Sequence, residues 1–124
     1  MDKFSFFDLR VYAESKRLVV DVYQLMRKFP VEERFALCDQ LRRSVTSVPS
    51  NIAEGSGRVS PKEKLHYIEI AYGSLMEVLC QLDIACDLNY ISKEEFNKEK
   101  DNINIIGKQL SGLRSSFNRQ IEER

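Results

Sequence analysis

The sequence predicts an all-α protein, an antiparallel up-down-up-down four-helix bundle, from three observations. Apolar residues recur at spacings of three and four over long stretches, and no segment alternates with the period of two that strands need. Capping-box sequences open two of these stretches. The connections between the stretches are short, which makes consecutive helices antiparallel neighbours.

The composition agrees with one domain that spans residues 1–124. Charged residues make up 31% of the chain and hydrophobic residues 43%, with only five Gly and three Pro. That mixture is typical of long charged helices. A chain of this size buries about two thirds of its unfolded surface, so it can form a core without disulfides or metals.

The first helix is expected from about Asp8 to Phe29, with Asp8 as its N-cap and Pro30 closing it. Its apolar residues exceed one narrow stripe, so we expect it to bury two sides. A monomer would then leave part of this surface, made by Val11, Leu18, Leu25 or their neighbours, exposed as an apolar patch.

The other three helices follow from similar signals. The second is expected to begin near Glu32 or Glu33 and to run to about Glu54. The third opens with the capping box SPKE at residues 60–63, and the fourth with SKEE at residues 92–95. Apolar residues then repeat in heptads along both, as in antiparallel bundles.

The second predicted helix has an unusual polar face. Beside its apolar stripe runs a polar stripe of residue types that can hydrogen-bond one another or the backbone of a partner. We predict that Arg43, Asn51 and Glu54 are largely buried and hydrogen-bonded, within the chain or across a subunit boundary. Arg43 is expected to pair with Glu54, Glu77 or Asp83. The candidate polar network comprises Gln40, Arg43, Ser47, Asn51, Glu54 and Glu77.

Three segments carry a family resemblance. They are QLRRSVTSVPSNIAEGSGR at 40–58, AYGSLME at 71–77 and LNYIS at 88–92. Together they resemble the four-helix proteins encoded in bacterial ribosomal-RNA intervening sequences, a family that includes the accessory variability protein of diversity-generating retroelements. The resemblance extends from about Phe7 to about Phe117. It implies a left-handed bundle that assembles into a homopentameric barrel, and it implies no known reaction.

Gly73 stands in the middle of the third predicted helix, where glycine costs roughly 1 kcal/mol relative to alanine. The residue is either a tolerated weakness or a point where another backbone approaches closely. The family resemblance favours the close approach.

No pattern in the sequence predicts an enzyme. Glu63 and His66 form a Glu-x-x-His pair, but a di-metal bundle site needs two such pairs and His66 is the only histidine. Cys38, Cys80 and Cys86 lie among apolar residues and are interpreted as reduced core thiols. There is no glycine-rich phosphate loop. We therefore expect no catalytic residue, no cofactor, no metal site and no small-molecule substrate.

Localisation signals are also lacking in the sequence. No signal-peptide pattern opens the chain, and no apolar run approaches the roughly 20 residues of a membrane span. With three unpaired thiols interpreted as reduced, the expectation is a cytoplasmic protein that does not enter the membrane.

The charge balance opposes a dedicated nucleic-acid binder, which usually has a basic excess. The net charge is zero, with ten Lys/Arg and eight Asp/Glu in residues 1–58, and nine and eleven in residues 59–124. Phosphate contacts would therefore need a local concentration of cations, for which the candidates are Arg34, Arg42 and Arg58. The alternative is that the polar stripe serves contacts within the chain or between subunits.

Two functions of different classes remain open. The first is a non-catalytic homo-oligomer, pentameric by the family resemblance, that associates with nucleic acid, RNA above all. Such a ring would repeat a modest basic patch and gain avidity. The second is a scaffold that docks a partner protein without binding RNA, as the retroelement relatives dock a reverse transcriptase.

Overall fold

The computed structural model of this chain describes residues 4–123, and within them every long element is an α-helix and no strand occurs. The all-α prediction is confirmed. A 3-10 helix precedes α1 and another precedes α2. The helices are Ser5–Asp8 (3-10), α1 Arg10–Met26, Val31–Glu33 (3-10), α2 Leu37–Ser56, α3 Pro61–Asp87 and α4 Lys93–Glu122.

The helices pack as an antiparallel bundle. Ser44 of α2 contacts Gln81 of α3, whereas Gly55 lies against Tyr67, so residue numbers fall along α3 as they rise along α2. α1 and α3 each pack against α2 and α4, and within residues 4–123 no Cα atom of α1 lies within 8 Å of one in α3. This is the contact pattern of an up-down-up-down bundle, with α1 and α3 at opposite corners.

The core draws on every helix, and its largest side chains are inaccessible to water. Of the apolar residues expected to leave an exposed patch on a monomer, Val11, Leu18 and Leu25 face this core and are at most 8% exposed, so the exposed part falls on their neighbours. The apolar side chains that α1 leaves outside are Val20 and Tyr23, at 56% and 41% exposure.

Both capping sequences start helices as predicted. At α4 the box is complete: Ser92 Oγ accepts from the Glu95 amide at 3.0 Å, and the Ser92 amide donates to Glu95 Oε1 at 2.9 Å. At α3, Ser60 Oγ accepts from the Glu63 amide at 3.1 Å, with Pro61 at the first helical position. These serines satisfy amides that have no partner inside the helix.

The start of α1 differs from the prediction. Its N-cap is Leu9, which forms no side-chain cap, and Asp8 instead ends the preceding 3-10 helix. α1 also ends at Met26, earlier than the predicted Phe29, because the amides of residues 27–29 bond to carbonyls three residues back. The strong turn signal of Pro30 therefore marks the loop and not the last helical residue.

α2 begins at Leu37, later than the sequence indicated. The backbone at Ala36 leaves the helical region, with φ −119° and ψ −102°. Glu33 replaces the missing helical contact, since its Oε1 accepts from the Leu37 amide at 3.4 Å and its Oε2 accepts from the Tyr90 hydroxyl at 2.7 Å. The α1–α2 loop is thereby attached to the α3–α4 loop.

The three cysteines are free thiols, but only Cys38 is a core residue. Burial raises the pKa of its thiol. Cys86 is half-buried and Cys80 is exposed, so the prediction of three core thiols is wrong for Cys80. α3 carries apolar residues on its outer side as well as its inner side, which makes the two sides hard to tell apart by spacing.

In the part of the chain that the structure describes, residues 4–123, no helix is both long enough and apolar enough to cross a membrane.

Candidate nucleic-acid interface at the start of α2

The inner half of the predicted polar stripe forms the contact between α2 and α3. The hydroxyl oxygens of Ser47 and Ser74 lie 2.8 Å apart, and Asn51 Nδ2 donates to Ser47 Oγ at 2.9 Å. Just under one turn earlier on α2, Ser44 Oγ donates to Gln81 Oε1 at 2.7 Å. These polar side chains therefore satisfy one another inside the chain.

α2 and α3 approach closely at Gly55. A Cβ atom added there would lie 3.0 Å from the Cβ of Tyr67, closer than such atoms normally pack. At Gly73, by contrast, an added Cβ would meet nothing within 4 Å among residues 4–123. The close backbone approach predicted at Gly73 is thus absent from the single chain, and an approach by another subunit stays a prediction.

The outer half of the stripe faces solvent. Gln40, Glu54 and Glu77 are exposed, and 80% of the Arg43 side chain is accessible. The single chain does not bury Arg43 or Glu54, and their burial by a second subunit stays a prediction.

Arg43 pairs with Asp39, its Nη2 lying 2.9 Å from Asp39 Oδ2, and not with the Glu54, Glu77 or Asp83 that the sequence favoured. Asp39 precedes Arg43 by one helical turn, the spacing at which helix side chains meet.

Arg58 is committed within the chain. Its Nη2 donates to Glu54 Oε1 at 2.7 Å and to the Tyr67 hydroxyl at 2.8 Å, and its guanidinium lies 4.8 Å from the centre of the Tyr67 ring. The hydrogen bond to Glu54 raises the pKa of Arg58. A phosphate would have to compete with these partners, so the geometry does not favour this candidate.

Arg42 and Arg43 share a single acidic partner, Asp39, and Arg34 lies beside them. Arg42 Nη2 donates to the backbone carbonyl of Arg34 at 2.9 Å and lies 3.8 Å from Asp39 Oδ1, while Arg43 takes the other carboxylate oxygen. The side chain of Arg34 is exposed and forms no ion pair with a described residue. Residues 34–43 therefore hold three guanidinium groups and one carboxylate.

Two exposed apolar residues flank this basic cluster. Phe35 is 86% exposed and Val31 is 74% exposed. Sequence reasoning missed them because it extended the second helix back to Glu32, which gave Phe35 a helical position. The Ala36 backbone instead places Phe35 in a loop.

One carboxyl group outside the stripe is buried. Glu99 of α4 is 2% exposed, and its Oε1 accepts from Asn102 Nδ2 at 3.1 Å. Burial raises the pKa of Glu99, and the neighbouring charge of Asp21 on α1 adds to the rise against the effect of Asn102. Within residues 4–123, no three His, Cys, Asp or Glu side chains are grouped as metal ligands.

Comparison with known proteins shows the family and the fold of this chain. A family model described as "23S rRNA-intervening sequence protein" matches residues 7–112. A crystal structure of a protein of unknown function from the S23 ribosomal protein family of Bacteroides thetaiotaomicron VPI-5482 is similar, with a TM-score of 0.74 and 22% sequence identity. The similarity covers 84% of this chain and 97% of that one, and at this identity it bears on the fold alone. No curated protein matches the chain.

Proposed function

Because this chain belongs to the 23S rRNA-intervening sequence protein family, we propose that it is a non-catalytic homo-oligomeric protein, a pentamer, that associates with RNA. The RNA clause rests on one observation, the cluster of three arginines at the start of α2. The oligomer clause rests on the family resemblance and on apolar residues that the single chain leaves in water.

The ion pairs within residues 4–123 neutralise only part of the charge of the basic cluster. Arg42 and Arg43 divide one carboxylate between them, and Arg34 has an exposed side chain beside them. Guanidinium groups bind phosphate oxygens through two parallel hydrogen bonds, whereas exposed ion pairs such as these hold arginine only weakly. Phosphate can therefore displace Asp39 from either arginine.

A subunit with zero net charge needs repetition to hold RNA. One cluster contributes a few phosphate contacts, which give weak binding that falls steeply with salt. In a ring of five, neighbouring clusters act on one RNA molecule, and linked sites raise the overall affinity without new contacts. The partner whose affinity rises most is therefore a structured RNA that contacts more than one subunit.

Several apolar side chains support assembly. Val20 and Tyr23 on α1, and Ile70 and Ile84 on α3, are each more than a third exposed on the outer faces of the bundle. Removing such surface from water contributes about 25 cal/mol per Å². A second copy is one way to cover them.

The test is fluorescence anisotropy with a labelled structured RNA over a salt series, after light scattering has measured the mass. We expect weakly sequence-specific binding whose affinity falls steeply as salt rises. Charge reversal at Arg42 should weaken binding while the mass stays unchanged, because the loss repeats in every subunit. Undetectable binding at low salt by the intact oligomer would reject the RNA clause.

A protein-interaction scaffold is the second candidate, and the exposure of Phe35 and Val31 favours it. Exposed apolar side chains beside arginine are typical of protein interfaces, where aromatic and arginine residues are enriched. Failure to bind RNA, together with saturable binding of a partner protein that Phe35→Ala abolishes, would establish this function in place of the first.

A further inference from the structure

Two helix faces on opposite corners of the bundle are exposed and contain apolar residues. The α1 face consists of Ala13, Lys16, Arg17, Val20, Tyr23 and Arg27. The α3 face consists of Ile70, Gly73, Glu77, Cys80, Ile84 and Asp87. Each follows the spacing of three and four residues that forms one side of a helix. We infer that the α1 face of one copy docks on the α3 face of the next copy, an inference that rests on the oligomer clause of the proposed function.

The two faces have opposite charges. Lys16, Arg17 and Arg27 on the α1 face form no ion pair with any residue in 4–123. Glu77 and Asp87 on the α3 face are likewise without an ion pair in that range. Charged faces of opposite sign attract each other and repel copies of themselves. This complementarity selects a second copy of the same chain and explains how a chain of zero net charge can keep two charged faces.

The apolar residues of the two faces also match. Val20 and Tyr23 project from the α1 face at 56% and 41% exposure. The α3 face supplies Ile84, at 45% exposure, and the side-chain-free surface of Gly73. A glycine in an exposed helix lets another helix approach closely, which accounts for a residue that destabilises the isolated helix.

Contacts through α4 show which residues of α1 and α3 lie at the same height along the bundle. Gln109 Nε2 donates to Glu14 Oε2 at 2.8 Å, so these residues of α4 and α1 are level. Gly107, two residues earlier on α4, lies against Tyr72 and Leu75 of α3. Because α1 and α3 run in the same direction, Lys16 is level with Gly73.

The same relation extends to the rest of both faces at 1.5 Å per residue. Val20, one turn beyond Lys16, is level with Glu77, and Tyr23 is level with Cys80. Arg27 reaches the last turn of α3, which ends at Asp87. Cations on α1 therefore stand within about one turn of carboxylates on α3.

Rotation about an axis parallel to the bundle leaves these heights unchanged. A face on one corner that binds a different face on the opposite corner makes a head-to-tail contact, and such a contact closes into a ring when the rotations between successive copies add up to a full turn. In this ring Lys16 and Arg17 of one copy approach the neighbour's Glu77, and Arg27 approaches its Asp87. Tyr23 lies beside the neighbour's Cys80.

Charge exchange tests the pairing of the faces. We expect Lys16→Glu/Arg27→Glu and Glu77→Lys/Asp87→Lys each to reduce the mass measured by light scattering to the 14.4 kDa of one chain. The chain with all four substitutions should regain the wild-type mass, because its faces are again opposite in charge. Lys108→Glu/Arg119→Glu on exposed positions of α4 makes the same charge change as the first variant and should leave the mass unchanged.

A cross-link tests the height of the contact. In Tyr23→Cys, oxidation by diamide should join the new thiol to Cys80 of the neighbour, since a disulfide needs Cα atoms about 5.5 Å apart. The two thiols lose two electrons and two protons, which reduce diamide to its hydrazine. A non-reducing gel should then show a ladder of subunit multiples. Wild type and Tyr23→Cys/Cys80→Ser should show none.

The outcomes separate this inference from the proposal beneath it. A wild-type monomer would reject both the oligomer and the pairing of faces. A wild-type oligomer that withstands both charge reversals would overturn the pairing and leave the oligomer standing. Dissociation by the α3 variant alone would indicate a contact between two α3 faces and would also overturn the inference.

Discussion

Ser47 of α2 and Ser74 of α3 share a hydrogen bond of 2.8 Å between their hydroxyl groups, in the middle of the most extensive helix contact of the bundle. Asn51 completes the group by donating to Ser47. Apolar contacts alone would tolerate sliding of one helix along the other. Matched polar groups hold only one register, because any other leaves a buried hydroxyl without a partner.

We predict that Ser47→Ala and Ser74→Ala each lower the free energy of unfolding by about 0.5–1.5 kcal/mol. The double variant should lose less than the sum, because the first substitution already removes the shared hydrogen bond. Urea denaturation of all four proteins measures the coupling, and Ser50→Ala on the exposed side of α2 serves as the control. Strict additivity would mean that the two hydroxyls contribute independently.

A second prediction concerns the two kinds of glycine. Gly55→Val should destabilise the fold by about 1–3 kcal/mol, because its side chain must enter the space held by Tyr67. Gly112→Ala should stabilise it by about 0.5–1 kcal/mol, since the position is helical and open. Thermal unfolding of the pair is the measurement. Equal stability of Gly55→Val and wild type would show that α2 and α3 can separate at no cost.

Glu99 should make stability depend on pH. Burial and the charge of Asp21 raise its pKa in the folded state, whereas the unfolded chain titrates near 4.3. The folded state then binds more protons between these two values, so the free energy of unfolding falls as pH rises through this interval. Lys98 on the same helix opposes the effect.

Glu99→Gln mimics the protonated acid, and it should remove this slope. We expect the variant to match wild type at pH 3 and to exceed it in stability at pH 7, in denaturant titrations at each pH. Glu94→Gln, an exposed carboxylate on the same helix, is the control and should not change the slope. A Glu99→Gln variant that is less stable than wild type at pH 7 would contradict the sign.

The arginines of α2 should separate into two classes if the RNA proposal holds. Arg43→Glu should lower RNA affinity and reduce the slope of log affinity against log salt by about one, because one phosphate contact is lost. Arg58→Glu removes the hydrogen bonds to Glu54 and Tyr67, so it should lower the thermal stability and not the RNA affinity. An Arg58 variant that lost more affinity than the Arg43 variant would reverse the assignment.

The sequence predicted the helices better than their ends. Both serine caps were predictable because capping is a local contact between residues three apart. The start of α2 was not, since it depends on Glu33 reaching Tyr90, 57 residues away in the chain. Long-range contacts of this kind leave no periodic signal.

The candidate site was predictable in part. The residue types of the stripe indicated a hydrogen-bonded network, and Ser47 and Asn51 form one. Spacing alone did not show which half of the stripe faces α3, so Arg43 was expected to have a different partner. The outer apolar residues of α3 were missed because helices that are apolar on both sides look like buried ones.

The polar contact between α1 and α4 has a consequence for the order in which the chain assembles. Glu14 and Gln109 meet there across 95 residues of sequence, whereas α2 and α3 are joined by a loop of four residues. Closing the long loop between α1 and α4 costs more chain entropy than closing the short α2–α3 loop, and a contact between polar residues offsets little of that cost. The α2–α3 hairpin should therefore form early and α1 should dock last. Amide hydrogens of α1 should exchange with solvent faster than those of α2, so the chain would open from the side that carries the α1 face.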